Sequence, residues 1–72
     1  MPRQTAAEVL DAYFLETRAK LLEIAATLDR VDRAGGVANE PRMQFIEGAL
    51  RILQSAAAPN RAEQIQRLYS KE

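Results

Sequence analysis

Apolar residues in the first half of the chain recur at helical spacing and predict one long helix with two apolar sides. One series follows alternating steps of four and three residues, the spacing of a packed helix pair. We name it the seam stripe; its members are Leu10, Phe14, Thr17, Leu21, Ile24, Leu28 and Val31. The other series, which we name the Ala/Leu stripe, repeats steps of three and four residues; its members are Ala12, Leu15, Ala19, Leu22 and Ala26. At about 100° per residue, the two stripes are centred roughly 150° apart.

Local signals set the ends of this first predicted helix, helix 1. Thr5 followed by Glu8 fits a capping box, in which the threonine side chain accepts from an early backbone N–H and the glutamate reaches back to the cap. No glycine or proline follows until Gly35 and Gly36, which adopt a left-handed helix end without steric cost. Helix 1 is therefore predicted over about 6–34.

The rest of the chain predicts two shorter helices. After a connection at 35–40, Pro41 suits the first turn of helix 2, which is predicted over about 41–57 with Asn39 or Glu40 as its cap. Pro59 disfavours helical backbone at the residue before it, so helix 2 stops there. Helix 3 is predicted over about 61–71.

These elements predict an all-α fold in one small domain, 1–72. Helix 2 has one wide apolar face and is expected to pack antiparallel against helix 1 as a helical hairpin. It covers one side of helix 1, and we expect the seam stripe, which carries the bulkier residues, to be that side. Another part of the chain, or another chain, then has to pack on the Ala/Leu stripe.

We consider two ways in which the Ala/Leu stripe could be buried. Helix 3 or the connection folds over it within a monomer, or the stripes of two or more copies pack together and close a bundle. A chain of 72 residues buries only about 60% of the surface that it exposes when unfolded, and it has no cysteine for a disulfide. We therefore favour a homo-oligomer, a dimer or tetramer, with a self-association surface formed by Ala12, Leu15, Ala19, Leu22 and Ala26.

Composition disfavours most chemistry. Ten basic and ten acidic residues give zero net charge, so there is no general attraction to nucleic acid or anionic lipid. The chain lacks histidine and cysteine and has no phosphate-binding glycine loop. No catalytic residue, cofactor or metal ligand is predicted. The sequence favours a non-catalytic self-assembly or protein-interaction module, whose heterologous partner, if there is one, stays unidentified.

Two other classes of function stay open. In a metal- or small-ligand-binding bundle, symmetry would gather copies of Glu16 and Glu23 around a cation, although Lys20 lies between them. Aromatic residues could line a small-ligand pocket; these are Tyr13, Phe14, Phe45 and Tyr69. In a DNA-binding three-helix domain, helix 3 would supply the polar contacts, which are Asn60, Arg61, Gln64, Arg67 and Lys71.

The N-terminal segment has no continuous apolar run or cleavage signature typical of a signal peptide. No apolar run approaches the roughly 20 residues that a membrane span requires. A cytoplasmic location without membrane association is therefore expected.

Overall fold

A computed structural model describes residues 4–55 and 59–70, and these residues form three α-helices. The helices are α1 (Ala6–Arg33), α2 (Pro41–Gln54) and α3 (Arg61–Ser70). No strand occurs among the described residues, so the predicted all-α class is confirmed. The chain divides into two compact units, Met1–Gly36 and Val37–Glu72. The first contains α1 and the second contains α2 and α3. The single domain and the pairing of helix 1 with helix 2 stay predictions.

α1 begins with the capping box that the sequence predicts. The Thr5 hydroxyl oxygen accepts from the Glu8 backbone N–H at 3.1 Å, and the Glu8 carboxylate accepts from the Thr5 backbone N–H at 2.8 Å. Two N–H groups that the first helical turn leaves without a carbonyl partner are thereby satisfied. The start of α1 is fixed by these local hydrogen bonds.

The end of α1 is a Schellman motif built on two glycines. The Gly36 N–H donates to the Val31 carbonyl at 2.8 Å, and the Gly35 N–H donates to the Asp32 carbonyl at 3.0 Å. Gly35 and Gly36 have φ angles of 106° and 70°, which residues that carry a Cβ atom rarely adopt. Between these two caps α1 runs for 28 residues without a break, a length of about 42 Å.

α2 begins at Pro41 with Glu40 as its cap. The Glu40 carboxylate accepts from the Arg42 backbone N–H at 3.1 Å, and the Arg42 guanidinium donates to the same carboxylate at 2.9 and 3.0 Å. One side chain therefore satisfies a helix-start N–H and holds a bidentate ion pair. Of the two caps predicted, Glu40 is the one used. Asn39 has a φ angle of 56° and lies in the preceding turn.

The ion pair gives the start of α2 a defined response to acid. Hydrogen bonds from the Arg42 side chain, and then from its backbone N–H, lower the pKa of Glu40 from 4.5 to about 2. A carboxyl group whose pKa falls on folding stabilises the fold fully above its unfolded-state pKa, and this contribution disappears as the pH falls through the folded-state pKa. We expect the Arg42 amide resonance to titrate with a midpoint near pH 2 in NMR spectra.

Glu40→Gln is the matched control for this titration, because glutamine keeps the length of the side chain and carries no titrating proton. In this variant, the Arg42 amide resonance should show no titration by residue 40 between about pH 4.5 and pH 2. A midpoint near 4.5 in the native chain would contradict the ion-paired cap.

α2 ends earlier than the sequence predicted. Its last helical residue is Gln54, and Ser55 is extended, with a ψ angle of 140°. The Ser55 carbonyl oxygen accepts two hydrogen bonds from the Arg61 guanidinium, at 3.1 and 2.6 Å. A cation placed on a carbonyl just beyond the helix satisfies the negative C-terminal end of α2. The end of helix 2 was predicted near residue 57, and residues 56–58 lie outside the described residues. Lys71, the last residue predicted for helix 3, lies outside them as well.

α2 packs against α3. The contact includes Gly48, where a Cβ atom would lie 2.9 Å from Leu68 Cδ2. Nearby, the rings of Phe45 and Tyr69 meet edge to face with their centroids 5.5 Å apart, a favourable aromatic geometry. None of the described residues is fully buried. The packing of α2 on α3 is therefore a two-helix contact without an enclosed core.

No helix in the described part of the chain combines the length and apolar character needed to cross a membrane.

Candidate functional site

The five residues of the Ala/Leu stripe all lie on α1. Because α1 is an unbroken α-helix, their steps of three and four residues place them along one face. Their larger members are exposed: Leu15 exposes 76% of its surface and Leu22 exposes 55%. The alanines at 12 and 19 are exposed as well, and Ala26 is partly buried. The helix presents a continuous apolar face, and the role of that face in self-association stays a prediction.

The seam stripe is exposed over most of its length too. Leu10 and Phe14 expose 62% and 51% of their surfaces, and Leu21 is similarly exposed. Leu28 and Val31, near the end of the helix, are partly buried. Considered by itself, α1 therefore has two apolar faces and no fully buried residue. That these faces bind another helix stays a prediction.

Two polar strips separate the apolar stripes of α1. We name the polar flank the strip that contains Glu16, Lys20, Glu23 and Thr27, which includes the carboxylates considered for a cation site. Among the described residues, no group of three or more Asp or Glu side chains is placed to hold a metal ion. The Thr27 hydroxyl on this flank donates to the Glu23 carbonyl at 3.0 Å, an ordinary contact within the helix. A cation site formed by several copies of the chain stays untested.

The polar residues considered for DNA contact take part in hydrogen bonds within the second unit. Arg61 donates to the Ser55 carbonyl, and the Arg67 guanidinium pairs with the Glu63 carboxylate at 2.5 Å. The Gln64 side-chain amide donates to the Asn60 side-chain oxygen at 2.6 Å. Each of these groups would have to leave a partner before it could reach a base edge or a phosphate. Lys71 lies outside the described residues.

A shallow groove follows the α2–α3 contact. Its apolar lining includes Phe45, Leu68 and Tyr69, and Arg42 is among its polar lining residues. Of the four aromatic residues considered for a ligand pocket, Phe45 and Tyr69 are brought together here, while Tyr13 and Phe14 lie on α1. The guanidinium of Arg42 is already held by the cap of α2. The aromatic pair therefore has a structural role in joining the two helices.

Sequence reasoning missed two residues that organise the second unit. Gly48 lies inside α2, where glycine is less favourable for helix formation than alanine by about 1 kcal/mol. A glycine inside a helix can therefore indicate that another element approaches closely. Arg61 was assigned to a surface that could contact DNA, and it bonds instead to the end of the preceding helix. No sequence pattern indicates the bond from Arg61 to the Ser55 carbonyl, because it depends on how α3 is placed relative to the end of α2.

The chain matches no protein-family model, no curated protein and no solved structure.

Proposed function

We propose that this chain is a small helical self-assembly module in which the Ala/Leu stripe of α1 is covered by a second copy of the chain. The observation that supports the proposal is the exposure of Leu15 and Leu22 on a capped helix of 28 residues. The module provides a scaffold, and no catalytic step is assigned to it. We propose two or four copies, since closed symmetric assemblies are the usual outcome when a surface pairs with itself.

Burial of the Ala/Leu stripe supplies a favourable free energy toward association. Full burial of an exposed leucine side chain stabilises by about 1.5–3 kcal/mol. Scaled by the exposed fractions of Leu15 and Leu22, 76% and 55%, burial in both copies contributes about 4–8 kcal/mol before the costs of association. The three alanines add less area, but they allow the backbones to approach closely. This gain is comparable with the total stability of a small domain.

Solution mass tests the proposal directly. We expect light scattering across a concentration series to give the mass of a dimer or tetramer, with the monomer mass of 8.0 kDa appearing only on dilution. Circular dichroism on the same samples should show helicity that falls as the assembly dissociates, because α1 is then no longer supported by packing. A fully helical monomer at every concentration would overturn the proposal.

A further inference from the structure

We draw no further inference here: the strongest candidate, the apolar groove along the α2–α3 contact lined by Phe45, Leu68 and Tyr69, is an unpartnered surface whose Arg42 is already paired with Glu40, and nothing in the structure shows what covers it.

Discussion

Leu22→Glu is expected to dissociate the assembly into monomers. Leu22 lies in the middle of the Ala/Leu stripe, and an assembly would bury one introduced carboxylate from each copy. Moving an unpaired charge out of water costs several kcal/mol. We expect the dissociation constant measured by light scattering to rise by at least about 100-fold, which corresponds to about 2.7 kcal/mol. Leu22 exposes 55% of its surface, and the substitution leaves the hydrogen-bonded backbone of α1 in place.

Two control variants separate burial from charge. Thr27→Glu introduces the same charge on the polar flank of α1, where the side chain is exposed. Lys20→Glu places glutamate on the same flank with a larger change in net charge. Both should keep the native mass, with at most a few-fold change in dissociation constant, because exposed charges are screened. An intact, helical assembly carrying Leu22→Glu would remove the Ala/Leu stripe from the interface. Equal dissociation by all three variants would attribute the effect to charge alone.

The ends of α1 could be predicted from the sequence because they depend on neighbouring residues. The reciprocal hydrogen bonds of Thr5 and Glu8 join positions three apart, and the glycine stop at Gly35 and Gly36 needs only a positive φ angle. Glu40 was foreseen as one of two caps for the same reason. Its pairing with Arg42 is also local, but the sequence analysis did not predict it.

The features that could not be predicted depend on contacts between elements. The early stop of α2 goes with the bond from Arg61, the first residue of α3, to the Ser55 carbonyl just after α2. The contact between α2 and α3 depends on the match between Gly48 and Leu68. Periodicity placed Leu68 on an apolar face of helix 3 and gave Gly48 no role. For the Ala/Leu stripe, periodicity identifies an apolar face but does not identify its occupant. The solution measurements above are aimed at that point.

Gly48→Val is expected to separate α2 from α3, with a loss of about 1–3 kcal/mol in the stability of their contact. A Cβ at this position would already lie 2.9 Å from Leu68 Cδ2, and valine adds two methyl groups on that atom. Helix propensity does not explain such a loss, because glycine is a poorer helix former than valine. Faster amide hydrogen exchange in α2 and α3 would report the opening, together with loss of the contact between Phe45 and Tyr69 in NMR spectra.

Gly48→Ala is the control, since its gain in helix propensity of up to about 1 kcal/mol offsets a small shift of the flexible end of Leu68. A net change within about 1 kcal/mol in either direction is expected for it. The decisive variant combines Gly48→Val with Leu68→Ala, which removes the methyl group that valine would strike. If the collision causes the loss, the double variant should be more stable than the sum of the two single effects by at least about 1 kcal/mol. Additive effects would mean that the two residues do not touch, and the packing of α2 on α3 at Gly48 would have to be abandoned.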